Sequence, residues 1–189
     1  MDVKTEKNRM RAQMRREMKA LSASYCRQAD AAIWKHVLLL PSYEKAHTIC
    51  AYVGMKDEIN TIPLILHMLA DGKQVGVPLC TGKGVMEMRE IHGLDDLQRG
   101  TWNIWEPKDY TKLLRPEDID MGLIPCVSGN ARGQRLGYGG GFYDRYLEGT
   151  SFLRVLLCRT AMMCAQIPTE LHDATMDILV SEDGAVRCK

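Results

Sequence analysis

The chain has 189 residues, 46% hydrophobic and 26% charged, and reads as one domain over residues 1–189 with enough apolar mass for a core. A net charge of +1 argues against a basic nucleic-acid surface. No segment reaches the roughly 18 apolar residues of a membrane helix, and the charged N-terminus is not followed by the apolar run of a secretory signal.

In chain order, Met10, Met14, Met18 and Leu21 recur at helical spacing and predict a first helix. Lys7, Arg11 and Arg15 run beside that stripe at i, i+4. A second helix is predicted where Ser22 or Ser24 can cap a run carrying Ala29, Ala32, Ile33, Trp34, Val37 and Leu38, with Pro41 ending it. Strands and helices then alternate. Residues 47–53 (HTICAYV) read as a buried strand. Thr61 or Asn60 can cap a helix with Pro63 in its first turn, ending at Gly72. Residues 74–80, 85–91, 120–127, 152–158 and 176–182 read as further strands. The alternation implies an α/β fold with a mainly parallel sheet covered on both faces. Residues 101–117, with Trp102, Trp105, Pro107 and Pro116, are read as an irregular loop serving as a lid or pocket wall, or equally as a core plug.

Seven cysteines form no C-x-x-C pair, and Cys50, Cys80, Cys126 and Cys158 fall in or beside apolar runs. They read as small core hydrophobes in a reducing compartment, so a cytoplasmic location is expected.

Chemistry concentrates in RLGYGGGFYDRY, residues 135–146. Six glycines lie between positions 129 and 141, after one strand and before a helical pattern. In parallel sheets, ligands sit beyond the carboxyl ends of strands. Glycines there let backbone N–H groups approach an anion, and a helix start adds a positive dipole. Neither a Walker sequence nor the dinucleotide glycine pattern is present: Gly82–Lys83 lacks a following Ser or Thr, and Phe142 stands where a third glycine belongs. Arg135 can pair with phosphate oxygens, and Tyr138 and Tyr143 can stack on or bond to a ring. A flexible connector with a tight turn is the plainer alternative. Likewise, Lys7, Arg11 and Arg15 can form a solvated helix face.

RLGYGGGFYDRYL (residues 135–147) resembles the signature of 5-formyltetrahydrofolate cyclo-ligases. KNRMR (7–11), ALS (20–22), VGMKDEINT (53–61), TWNIWEP (101–107) and IPTELHDATMD (167–177) resemble the family's other segments, in the same order. The resemblance implies a three-layer α/β/α sandwich of the sugar-isomerase and CoA-transferase-like type. It implies ATP- and Mg²⁺-dependent conversion of 5-formyltetrahydrofolate to 5,10-methenyltetrahydrofolate, with ADP and phosphate released through a phosphorylated formyl intermediate. By motif position, Lys7, Arg11, Arg135, Leu136, Gly137, Tyr138, Gly139, Gly140, Gly141, Phe142 and Tyr143 would bind ATP. Val53, Glu58 and Trp102 would bind the reduced folate, together with Tyr138, Gly139, Gly140, Gly141 and Phe142. Asp144 and Asp173 would hold Mg²⁺, which needs hard oxygens and takes one or two carboxylates. Partners would be these small molecules, with no nucleic acid or membrane, and the chain would act as a monomer.

Four positions depart from the family pattern. Gly129 and Asn130 fall where a Phe-Asp pair is common, Phe142 replaces a tyrosine, and Met162 falls where glutamine is common. Two other readings stay open on the sequence: a cyclo-ligase-like ATPase acting on another N-formyl or amide compound, and a non-catalytic binding module using the basic first helix.

Overall fold

The computed structural model describes residues 2–100 and 104–189. Helix α1 (Val3–Ala20) starts at Asp2, whose Oδ1 accepts the Thr5 N–H at 2.7 Å, and it buries Lys7, Met14 and Met18. Ser22 caps α2 (Ala23–Leu38) by accepting the Tyr25 N–H at 3.1 Å. Pro41 does more than end that helix: it occupies the first turn of a short α3 (Pro41–Lys45), where a missing N–H costs nothing.

Strand β1 (Thr48–Ala51) is followed by α4 (Ile62–Ala70) and by the hairpin of β2 (Gln74–Gly82) and β3 (Val85–Ile91). Residues expected to form an irregular loop include strand structure, a correction to that reading. β4 (Leu97–Arg99) pairs antiparallel with β5 (Trp105–Pro107), and β6 (Leu113–Leu114) pairs with β3. β7 (Met121–Ile124) stops short of the expected Val127, because Pro125 has no N–H to continue a ladder. A two-stranded ribbon, β8 (Ser128–Gly129) with β9 (Arg135–Leu136), follows, then α5 (Phe142–Leu147). β10 (Leu153–Leu157), β11 (Ile178–Ser181) and β12 (Gly184–Arg187) close the chain.

Eight strands form one sheet in the order β12-β11-β10-β7-β1-β2-β3-β6. The five strands from β11 to β2 pair in parallel, and β12, β3 and β6 add antiparallel margins. Because successive side chains point to opposite faces, the parallel strands feed two cores. Ile49, Ala51, Met121, Leu123, Val155, Leu157, Ile178 and Val180 face one core, which α2, α3 and α4 cover with Ile33, Val37, Tyr43, Leu64, Ile65 and Met68. Cys50, Ile124, Leu156 and Leu179 face the other, covered by Met14 and Met18 of α1 and Leu147 of α5. The result is a three-layer α/β/α arrangement. All seven cysteines are free thiols, with Cys50 and Cys158 fully buried. Among the described residues, no helix is long and apolar enough to cross a membrane.

Topology fixes the place of the site. From β1 the chain moves to β2 on one side, and later inserts β7 on the other. The crevice beyond the carboxyl ends of β1 and β7 is therefore a switch point, the usual ligand position in an open parallel sheet.

Candidate functional site

A cavity of about 500 Å³ opens at that switch point, with Tyr52 and Val53 following β1 and Pro125 following β7 on its wall. Of the six glycines between positions 129 and 141, only those of residues 137–141 form the cavity loop. Gly129 lies in β8, and Gly133 turns the ribbon at φ 75°. Gly139 and Gly141 take φ 102° and 68°, values that L side chains rarely adopt. Among the described residues, the N–H groups of residues 137–141 find no acceptor. Successive free amides in a turn of alternating hand make a concave anion cradle. Helix α5 has six residues, so its dipole adds little, and the cradle depends on loop amides and side-chain cations.

Those cations come from two directions. The basic stripe of α1 lies against the glycine loop, with Lys7 buried, Arg11 half-buried and Arg15 still exposed. Arg11 Nε donates to Gly137 O at 2.8 Å, and Arg15 Nη2 to Tyr138 O at 3.1 Å. With those carbonyls drawn toward α1, the loop is held by its acceptor groups while its donors stay free. Lys7 is 7% exposed, its ammonium 2.8 Å from Glu170 Oε2 and 2.6 Å from Asp173 Oδ2. From below, Arg135 lies buried beneath the loop and donates Nη2 to Asp144 Oδ1 at 2.5 Å. A Cβ on Gly137 would come 2.6 Å from Arg135 Nη1, so the chain crosses the guanidinium only as glycine.

The opposite wall is suited to a polar ring. Thr61 stands at the N-cap of α4 as expected, with Asn60 Oδ1 accepting the Ile62 N–H, but the Thr61 hydroxyl donates to Tyr52 O and accepts the Gly54 N–H, fastening the loop after β1. Glu58 on that loop accepts the Met55 N–H at 2.7 Å, and burial pushes its carboxyl above the ordinary range. The hydroxyls of Tyr138 and Tyr143 are buried without a closed hydrogen bond. Burial pushes both phenols far up, Tyr138 aided by the nearby Glu58 carboxylate, so both remain neutral donors.

Of the residues singled out in the sequence, Lys7, Arg11, Val53, Glu58, Arg135, Gly137, Tyr138, Gly139, Gly140, Gly141, Phe142, Tyr143, Asp144 and Asp173 all border this cavity. Leu136 is the exception: its side chain is buried in the core on the α1 side, because β9 turns alternate residues inward. Trp102 lies outside the described residues. Ile104 and Trp105 line the cavity, making that segment a pocket wall, and the Arg99 guanidinium lies 4.1 Å from the Trp105 ring centroid.

Three of the departures from the family pattern have local explanations; the phenylalanine at position 142 has none in the structure. A Cβ on Gly129 would come 2.5 Å from Leu156 Cδ2, so close packing has replaced an aromatic. Asn130 Oδ1 accepts the Arg132 and Gln134 N–H groups, a turn-stabilising task that suits a carboxylate or an amide alike. Met162 is 3% exposed in the same core.

Sequence reasoning passed over several residues. Glu170 joins Asp173 at Lys7, and the ligand atoms of Glu170, His172 and Asp173 lie within 4.8 Å of one another, a group able to hold a cation. Two carboxylates suit a hard ion such as Mg²⁺; the imidazole does not. Arg145 donates Nε to Gly84 O at 2.6 Å and Nη2 to Gly140 O at 2.5 Å, tying the loop to the β2–β3 turn. Gly84 has φ 72°, and a Cβ there would come 1.5 Å from Arg145 Nη2. Gly84→Ala is therefore expected to cost about 1 kcal/mol in backbone strain, and to weaken nucleotide affinity severalfold by freeing the loop. Unchanged affinity by calorimetry would contradict the tie.

The Lys7 cluster also sets a pH dependence. Burial opposes charge on Asp173, but the Lys7 ammonium and the Glu170 N–H outweigh it and hold the carboxyl below its ordinary 3.8. Burial likewise opposes charge on Lys7, and the two carboxylates outweigh it, raising the ammonium above 10.5. A depressed carboxyl contributes stability above its unfolded value and loses it as pH falls through the folded value. A raised ammonium contributes below 10.5 and loses that as pH rises through its folded value. Lys7→Met is thus expected to flatten the fall in Tm below pH 3.8 and the fall above pH 10.5. Parallel melting curves for both proteins across these ranges would refute the coupling.

The fold and cavity define the class: an α/β/α protein whose glycine loop of free amides faces a wall of phenol hydroxyls and the Glu58 carboxyl at the switch point of its sheet. The model of the 5-formyltetrahydrofolate cyclo-ligase family matches residues 3–182, and the chain belongs to that family. It is 30% identical to the 5-formyltetrahydrofolate cyclo-ligase of Haemophilus influenzae, over 93% of this chain and 97% of that one. It is 28% identical to a probable 5-formyltetrahydrofolate cyclo-ligase of Schizosaccharomyces pombe, over 96% and 98%. The solved structure of Aquifex aeolicus 5,10-methenyltetrahydrofolate synthetase superposes with a TM-score of 0.86 at 26% identity, covering 97% of this chain and 93% of that one.

Proposed function

We propose that this chain converts 5-formyltetrahydrofolate to 5,10-methenyltetrahydrofolate with ATP and Mg²⁺, releasing ADP and phosphate. The observation that carries this reading is the pairing, in one cavity, of free amides at residues 137–141 with the half-buried Glu58 carboxyl and the buried hydroxyls of Tyr138 and Tyr143. Lys7, Arg11 and Arg135 surround the cradle with the positive charge that phosphoryl transfer asks for. Glu58 offers an acceptor to the amino and ring N–H groups of a pterin, and Val53 offers an apolar surface. The formyl oxygen attacks the γ-phosphorus and ADP leaves. N10 then attacks the formyl carbon, its proton is lost, and phosphate departs with the former formyl oxygen. Phosphorylation matters because an amide oxygen is otherwise a poor leaving group. Asp144 and Asp173 would hold Mg²⁺, with Glu170 beside them; the ion supplies charge neutralisation for the phosphates.

The same reading takes residues 1–189 as one domain, acting as a monomer on small molecules in the cytoplasm. Incubating purified protein with 5-formyltetrahydrofolate, MgCl₂ and ATP should produce the absorbance of the methenyl product and one ADP per turnover. No product and no ADP would overturn the proposal; ADP without product would redirect it to another N-formyl substrate.

A further inference from the structure

The Glu58 loop is held from behind by a buried ion pair that makes no contact with the cavity. Arg159, just past β10, is 5% exposed, and Asp30 on α2 is 4% exposed. Arg159 Nε donates to Asp30 Oδ1 at 2.8 Å, and Nη2 to Oδ2 at 3.1 Å. The same guanidinium also donates to backbone: Nη1 to Asp57 O at 3.1 Å and Nη2 to Glu58 O at 2.8 Å. Asp30 Oδ2 also accepts the Asn60 N–H at 3.0 Å. One pair thus fixes the loop at three points, residues 57, 58 and 60.

Cohesion alone does not require this arrangement. A buried ion pair is often replaceable by apolar residues of similar volume without loss of stability. Apolar side chains could not, however, donate to the carbonyls of Asp57 and Glu58. Behind the loop lies a void of only about 20 Å³, bordered by Tyr52, Asp57, Glu58 and Arg159, so the loop cannot settle deeper toward the core, and the clamp opposes its shift toward the open cavities in front of it. Glu58 is therefore pinned at both ends, its carbonyl by Arg159 and its carboxylate by the Met55 N–H.

We propose that Arg159, braced by Asp30, is a positioning residue for Glu58, setting the depth at which its carboxylate meets the ring system of the reduced folate. This rests on the reading above that Glu58 binds that substrate. It separates the two halves of the cavity: the clamp serves the folate wall and touches neither the glycine loop nor its cations.

The test is a pair of separate binding measurements by calorimetry, with 5-formyltetrahydrofolate alone and with a non-hydrolysable ATP analogue alone. Arg159→Lys keeps the charge opposite Asp30 but loses the forked reach to two carbonyls. It should weaken folate affinity by about tenfold while leaving analogue affinity within about twofold, and turnover should show a raised folate KM with little change in kcat. Because the clamp acts through Glu58, Arg159→Lys placed on Glu58→Gln should add no more than about twofold to the loss from Glu58→Gln alone. Equal loss for both ligands, an undiminished loss in the Glu58→Gln background, or unchanged folate affinity would each overturn the inference. Should Arg159→Lys fail to fold, Asp30→Asn, which keeps an acceptor for the Asn60 N–H, is read by the same criteria. Wild-type protein without folate affinity would sink the proposed function itself, and this inference with it; normal wild-type and Glu58→Gln behaviour with a silent Arg159→Lys would sink the inference alone.

Discussion

Arg135→Met is expected to lower kcat/KM by about 10³-fold, the scale on which preorganised charge at a phosphoryl centre acts. The guanidinium is buried under the glycine loop, with Asp144 on one side and the Tyr143 ring 5.9 Å from its carbon. Among the described residues its Nε has no partner, although the atom is buried. Such a donor is costly to leave unmade and is well placed for an anion entering the cradle. Removing the cation also strands Asp144. Breaking a fully buried pair costs 3–5 kcal/mol by general experience, but the Asp144 side chain is 25% exposed and water can relieve it. A loss of about 2 kcal/mol follows, or about 4–8 °C in Tm for a chain of this size. Arg135→Lys should restore much of the stability but little of the rate, since one ammonium cannot serve both Asp144 and a phosphate with the geometry of a fork. Near-normal turnover in Arg135→Met would remove Arg135 from the nucleotide site.

Asp144→Asn separates charge from shape. The amide keeps an oxygen that can accept from Arg135, so the stability cost should stay near 1 kcal/mol, the usual value of a weakened hydrogen bond. Turnover should nevertheless fall by about 10²-fold or more, and the Mg²⁺ concentration for half-maximal rate should rise, because a neutral amide is a poor ligand for a hard divalent ion. The measurement is a Mg²⁺ titration of initial rate beside a thermal melt. Full activity at saturating Mg²⁺ would exclude a metal role for this carboxylate.

What the sequence disclosed, and what it concealed, divides by distance along the chain. The methionine stripe of α1, the Ser22 cap and the apolar run before Ala51 rest on neighbours within a turn or a strand, and each formed where periodicity put it. The glycine loop was legible for the same reason, and its residues gather at one cavity. Strand partners were less legible. β6 and β12 are short and gain their identity from pairing with β3 and β11, information that no local pattern carries. The basic stripe of α1 could be read as solvated because its acceptors, the carbonyls of Gly137 and Tyr138, lie more than 120 residues away. Arg159 and Asp30 were invisible for the same cause: 129 residues separate two ordinary surface-type side chains that the fold buries against each other. Leu136 was misjudged on a finer scale. It sits inside the signature, yet strand alternation turns its side chain into the core while Arg135 faces the cavity.

The margins of the large sheet bear on how the chain withstands crowding and transient opening. An exposed edge is a template on which another chain can add a strand, and its danger grows with length. Here one edge is β6, two residues long, and the other is β12, four residues ending at Arg187. The most deeply buried strands, β10, β11, β1 and β7, are each paired on both sides. Among the described residues, the large sheet therefore offers its neighbours two short edges, and the ribbons β4–β5 and β8–β9 add strands of only three and two residues. Self-association through strand addition must wait for a hairpin arm to peel away, so aggregation of this protein should track the stability of its two antiparallel margins before that of its parallel centre.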